Sequence, residues 1–347
     1  VIPPRDAIEL LRARVAQTPA ALEAALAASR SFAREHRENL ARPTRWSVSG
    51  IGASEGVARA CATDLRGVAG RSAELLSVSR WLAGDRTPVV DDAAHGFILF
   101  SQGLSPNARA ALRRAPAGAV RVLFTASPEH PDALDARRDG WLVCAHPPPD
   151  EDGLLVRVTG PCCALVAARA LAESIAPSST TPIPARAAEA FREGLSEGAR
   201  AGAALDPAAL SRVRALLTVG DPDESLAGLA WAWMEATLTA PVAGWDVLGF
   251  AHGPFQALFD HEGTLLSFER DASEAALFDR LASMLDRARH TLVRLRTGDE
   301  DGWGLLRRHG ALWGVALTLL ESVPLPLASW PGKGLDGPLY DLRDRPR

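Results

Sequence analysis

The hydrophobic pattern changes period several times along the chain. Leu22, Leu26, Ser29 and Phe32 follow one another at helical spacing, and Thr18-Pro19 reads as an N-cap with proline at the first helical position. This predicts a helical arm over 1–40 that packs and carries no site. From Arg45 the spacing shortens. Trp46–Ser49, Gly96–Phe100, Val120–Phe124 and Trp141–Ala145 read as strands, with Leu155–Val158 as a fifth. Gly96-Phe97-Ile98-Leu99-Phe100 is apolar throughout, the pattern of a strand buried on both faces. Helices are predicted between the strands over Val57–Arg66, Ala108–Arg114 and Ala164–Ile175. The stretch PSSTTPIP at 177–184 reads as a linker, and helices follow to about Val213. The alternation then restarts, with strands at 215–219, 264–268 and 291–295 and helices at 226–235 and 305–320. Alternating strands and helices predict an α/β chain with mainly parallel sheets, and two rounds predict two such domains.

The loops that close the predicted strands carry the candidate chemistry. Gly50-Ile51-Gly52-Ala53-Ser54-Glu55-Gly56 follows the first strand and opens a helix. A helix N-terminus of this kind offers backbone N–H groups and a hydroxyl to an anion or polar ligand. It is neither a dinucleotide fingerprint, because Glu55 stands where a third glycine is needed, nor a P-loop, because no Gly-Lys-Ser/Thr follows. Ser101-Gln102-Gly103-Leu104-Ser105-Pro106-Asn107 closes the next strand, with Ser105 as N-cap and Pro106 at the first helical position. Thr125-Ala126-Ser127 closes the third. Such loops at the carboxyl ends of parallel strands meet in the crevice where open α/β sheets bind ligands. In the second half, Glu235 ends an apolar, tryptophan-rich helix, and His252 precedes Gly253-Pro254. A carboxylate and an imidazole are the groups used for proton transfer.

Composition narrows the function classes. Of 347 residues, 47% are hydrophobic and 23% charged, the balance of an ordinary globular chain. A net charge of -4 and a pI near 6.1 argue against a nucleic-acid surface or a polybasic membrane anchor. No apolar run reaches the length of a membrane span, and VIPPRDAIELL does not read as a secretory signal. Cys61, Cys144, Cys162 and Cys163 form no CxxC pair and no zinc spacing, so no metal is expected and a cytoplasmic protein with reduced thiols is. The 38 basic residues include one lysine, Lys333, with the one tyrosine, Tyr340, seven residues on.

Taken in order, SGIGASEG, FILFSQGLSPN, GDPDES, WME and AHGP resemble the double SIS (sugar isomerase) domain family. That family includes the isomerase half of glucosamine-6-phosphate synthase and related sugar-phosphate isomerases and deaminases. The resemblance runs from about Gln17 to the tail. It implies two tandem SIS domains, over 41–177 and 178–325, with the arm at 1–40 before them and a tail at 326–347 over the site. It implies that Gly52, Ser54, Ser101, Gln102, Ser105 and Ser127 bind the substrate and its phosphate. Glu235 would move a proton between C1 and C2. His252 would open the sugar ring and, in a homodimer, reach the partner's site. A tail cation, Lys333 or Arg343, would steady the enolate charge. The chain departs from the family at Gly103 and Pro106, where a serine and a threonine are usual, at Ala232 in place of a lysine, and at Cys162 in place of a glutamate. The activity implied is that of a sugar-phosphate or aminosugar-phosphate isomerase or deaminase needing no cofactor. The alternative is a non-catalytic protein that binds or senses a sugar phosphate or related carbohydrate derivative. No nucleic acid or membrane partner is expected.

Overall fold

The computed structural model describes residues 2–84, 91–147, 153–177, 184–238, 242–299 and 301–341. The first half of the chain runs α1 (Pro4–Glu35), α2 (Arg37–Ala41), β1 (Arg45–Gly50), α3 (Ala53–Gly67), β2 (Ser72–Leu75), α4 (Val78–Ala83), β3 (His95–Phe100), α5 (Pro106–Arg114), β4 (Val120–Thr125), α6 (Pro131–Arg138), β5 (Leu142–Ala145) and α7 (Thr159–Ile175). All six residues of β3 are buried, as an apolar run with no alternation requires. It lies at the centre of a five-stranded parallel sheet of order β2-β1-β3-β4-β5. On one face Phe97, Leu99, Trp81, Leu112 and Trp141 form a core cluster. Trp46 of β1 lies flat against Gly96 of β3, where a Cβ would fall 2.2 Å from its ring.

The second half runs α8 (Ala187–Gly202), α9 (Ala209–Arg212), β6 (Val213–Thr218), α10 (Pro222–Thr237), β7 (Ala243–Asp246), α11 (Val247–Phe250), α12 (Pro254–Leu258), β8 (Gly263–Glu269), α13 (Ala272–Met284), β9 (His290–Arg296), α14 (Gly304–Ser322) and, in the tail, α15 (Gly337–Tyr340). Its four strands form a second parallel sheet, β7-β6-β8-β9, over a core of Leu217, Leu265, Phe250, Phe278 and Leu281. Contacts group the chain into two units. One holds the five-stranded sheet and comprises Ala20–Asp152, Thr159–Ile183 and Trp330–Arg347. The other holds the four-stranded sheet and comprises Val1–Pro19, Gly153–Val158 and Pro184–Ser329.

Two expectations change. Thr18-Pro19 does not start a helix, because α1 runs through it unbroken with Pro19 inside. Thr18 and Leu22 are fully buried, and the Thr18 hydroxyl donates to the Arg14 carbonyl, so packing overrides the local start signal. Leu155–Val158 is not a strand. Its amides go elsewhere, Leu155 N–H to the Leu327 carbonyl and Arg157 N–H to the Glu235 carboxylate. The fifth strand is β2, an edge strand whose half-exposed SAEL gave no apolar signal. The predicted linker lies outside the described residues over 178–183.

Helices α8 and α14 touch backbone to backbone. A Cβ on Gly198 would fall 1.9 Å from the Ala311 carbonyl, and one on Gly314 would fall 2.4 Å from the Leu195 carbonyl. Helix α14 also packs against α10, the helix of the candidate base. Gly198→Ala is expected to destabilise the protein by about 1–3 kcal/mol through overpacking. Gly67→Ala, where a Cβ meets nothing within 4 Å, should be neutral or stabilising. Urea unfolding of the two variants checks this.

Burial pushes the His309 imidazole of α14 and the His146 imidazole down to about 4. Both stay neutral in the fold while the unfolded chain protonates near its ordinary 6.5. Their contribution is therefore complete above pH 6.5 and is lost as pH falls toward 4, at about 3 kcal/mol for each histidine. Stability should decline over that interval in thermal melts, and less steeply in His309→Leu.

Candidate active site

The three loops of the five-stranded sheet start level with one another. Gly50 pairs with Phe100, and Phe100 with Phe124, so β1, β3 and β4 end in register. The order β2-β1-β3-β4-β5 reverses between β1 and β3, which makes their carboxyl ends the switch point of the sheet. Gly52 turns the chain there with φ 63, a conformation glycine adopts without strain, and caps α3. Ser54 lies in the first turn of α3, half-buried.

After β3, the Ser101 amide donates to the Phe124 carbonyl at 3.0 Å. The Gln102 carbonyl accepts from the Thr125 hydroxyl at 2.9 Å and from the Ala126 amide at 3.2 Å. This loop is thus pinned to the end of β4, where the Ser127 backbone N–H donates to the Thr125 hydroxyl oxygen at 3.1 Å. Leu104, buried, takes φ 51, which costs a leucine about 1–2 kcal/mol. Ser105 stands at the N-cap of α5 as expected, yet its hydroxyl caps nothing. None of the four serine hydroxyls is engaged by a described neighbour. The Gln102 side chain, 8% exposed, lies on Gly160 at the start of α7, where a Cβ would fall 2.4 Å from its carboxamide. Its Oε1 and the Oδ1 of Asn107 are buried without a partner. A carboxamide exchanges its oxygen and nitrogen by a half-turn, so each can offer a donor or an acceptor to a ligand.

The four-stranded sheet is finished differently. Its order reverses between β6 and β8. There Asp221 caps α10, accepting from the Asp223 amide at 2.8 Å, and Asp271 caps α13, accepting from Ser273 and Glu274 at 2.8 and 3.0 Å. The Asp246 carboxylate takes the Gly220 amide at 3.0 Å. The Ser273 hydroxyl and these amides hold the Asp271 carboxyl below its ordinary range, so it is charged at neutral pH. Carboxylates occupy the positions an anion would need.

Glu235 lies in the last turn of α10 and is 4% exposed. The helix is begun by Asp221, by Pro222 in its first turn, and by Asp223 and Glu224, whose charges suit its positive end. At the other end Glu235 faces the negative pole, an unfavourable place for a buried carboxylate. Two N–H donors among the described residues offset this. The Trp231 indole donates to Oε1 at 2.7 Å and the Arg157 backbone amide to Oε2 at 2.8 Å. Ala232, three residues before Glu235, is buried. His252 is exposed on the turn between α11 and α12, where Gly253 takes φ 151. Lys333 is exposed in the tail, its Nζ 5.3 Å from the centre of the Tyr340 ring. Arg343 lies outside the described residues. Among the described residues no group of three or more His, Cys, Asp or Glu side chains is arranged to hold a metal ion, and no helix is long and apolar enough to cross a membrane.

No protein-family model and no curated protein matches the chain. Solved structures do. Tagatose-6-phosphate ketose/aldose isomerase from Escherichia coli matches with a TM-score of 0.65 and 16% identity, over 91% of this chain and 94% of that one. Glucosamine-6-phosphate deaminase from Thermotoga maritima matches with a TM-score of 0.65 and 13% identity, over 90% and 96%. The C-terminal domain of glucosamine-fructose-6-phosphate aminotransferase from Francisella tularensis matches with a TM-score of 0.63 and 12% identity, over 88% and 94%. The chain has the double-SIS fold. Within this SIS fold, sequence reading named the serine loops and Glu235 but not the groups that hold Glu235. Trp231 was legible, because it precedes Glu235 by four residues on a predicted helix and so shares its face. The Arg157 amide was not, since any residue type supplies one.

Proposed function

We propose that the protein is a phosphosugar isomerase or aminosugar-phosphate deaminase. The observation that carries the proposal is the buried Glu235 carboxylate, held by two N–H donors at the unfavourable end of an apolar helix. A structural role is served more cheaply by an apolar residue there, whereas a proton carrier needs a carboxylate. The crevice of the five-stranded sheet supports the other half of the proposal. Its hydroxyls at Ser54, Ser101, Ser105 and Ser127, the Gln102 amide and the starts of α3 and α5 suit the phosphate end of a sugar. In this scheme His252 assists ring opening, and a homodimer would bring it to a partner's site. Glu235 removes the C2 proton of the open aldose and returns it to C1. The substrate carbonyl itself acidifies that C–H bond, so the scheme needs no cofactor. Lys333 or Arg343 would balance the enolate charge. A non-catalytic sensor is the second reading, favoured by buried Ala232 at the position of the family lysine.

Incubating the protein with hexose and aminohexose phosphates in heavy water separates the two. The isomerase proposal predicts deuterium at C2, a loss of about 100-fold or more in Glu235→Gln, and about tenfold weaker sugar binding in Ser101→Ala. Tight binding without exchange would leave the sensor. Exchange that survives Glu235→Gln would move the base elsewhere.

A further inference from the structure

We infer that Trp231 is a positioning residue for Glu235, an inference that rests on the catalytic role proposed above. Of the three tryptophans near the base, Trp233 is fully buried in the core and Trp245 lies on edge strand β7. Trp231 differs from both. It precedes Glu235 by one helical turn, is 38% exposed, and gives its indole N–H to Oε1 at 2.7 Å. A half-exposed indole has water available as an acceptor, so fixing its N–H on a buried carboxylate is a specific choice of rotamer.

The geometry adds a second constraint. The Arg157 amide holds Oε2 at 2.8 Å from a different segment of chain, so the two oxygens are held by two independent donors. One donor leaves a carboxylate free to rotate about its last bond, while two fix its plane. A proton must leave one carbon and arrive at the next through the same carboxylate, so the orientation of that plane matters to both half-steps. The bond also uses a neutral donor. An indole N–H cannot lose its proton to the base or take one from it, so it aims Glu235 without competing in proton transfer. Trp231 therefore supplies a fixed donor on the helix face from which the family's lysine, three residues before the glutamate, has been replaced by Ala232.

The test separates the N–H from the ring. Trp231→Phe removes both. Site-specific incorporation of benzothienylalanine at 231 keeps the shape of the ring and puts sulfur in place of N–H. Two readouts are taken. The first needs no sugar: in protein labelled with 15N at its indoles, the Trp231 N–H resonance, assigned by its absence in Trp231→Phe, should shift in Glu235→Gln. The second is C2 exchange in heavy water, where the isostere should lower kcat about 10- to 100-fold with KM little changed. An indole resonance unmoved by Glu235→Gln overturns the inference whatever the activity. An isostere that exchanges as fast as a wild-type protein that does exchange overturns it too, while leaving the functional proposal standing. A wild-type protein that exchanges no sugar proton removes the functional proposal, and the catalytic meaning of the contact with it.

Discussion

The first turn of every α-helix presents backbone N–H groups that no residue within the helix can accept. How each sheet meets that demand distinguishes the two halves of this chain. Around the four-stranded sheet, Asp221, Asp246 and Asp271 accept these amides at the starts of α10, α11 and α13. Around the five-stranded sheet no described side chain caps α3 or α5, and no described residue engages the hydroxyls of Ser54, Ser101 and Ser105. The same fold is used twice, once with carboxylate caps at the helices of its switch point and once without side-chain caps there.

Glu235 shows the same logic with the sign reversed. Here a carboxylate sits at the negative end of a helix, and the chain brings donors to it, from Trp231 on the same helix and from the backbone of Arg157. The Arg157 amide would otherwise have belonged to a strand. Leu155–Val158 has the apolar alternation of one, but its hydrogen bonds go to Leu327 and Glu235 instead of a ladder. Sequence pattern reports which side chains are buried and says nothing of where an amide is directed.

That difference explains what was legible. The central strands β3, β4, β6 and β8 announce themselves because burial on both faces leaves largely apolar runs, and the loops that follow them fall at predictable ends. The edge strands β2 and β7, four residues each and half-exposed, carry no such signal. The glycines at 194, 198, 310 and 314 were readable in principle, since spacing of four puts them on one helix face, but which helix they meet is a matter of tertiary packing. The order of loop motifs pointed to the serine loops that follow β1, β3 and β4. The absence of side-chain caps at the starts of α3 and α5, on which the proposed ligand-binding role depends, is visible only in the structure.

The central claim is that open helix starts make the five-stranded sheet, and not the four-stranded one, the anion-binding half. Calorimetric titration of hexose 6-phosphates into wild-type protein and into Ser105→Asp tests it directly. The substitution gives α5 the same carboxylate cap that Asp271 gives α13, which should stabilise the fold by up to about 1 kcal/mol. The account predicts one sugar phosphate bound per chain in the wild type and none in Ser105→Asp. Two bound per chain, or binding that survives the new carboxylate, would contradict it.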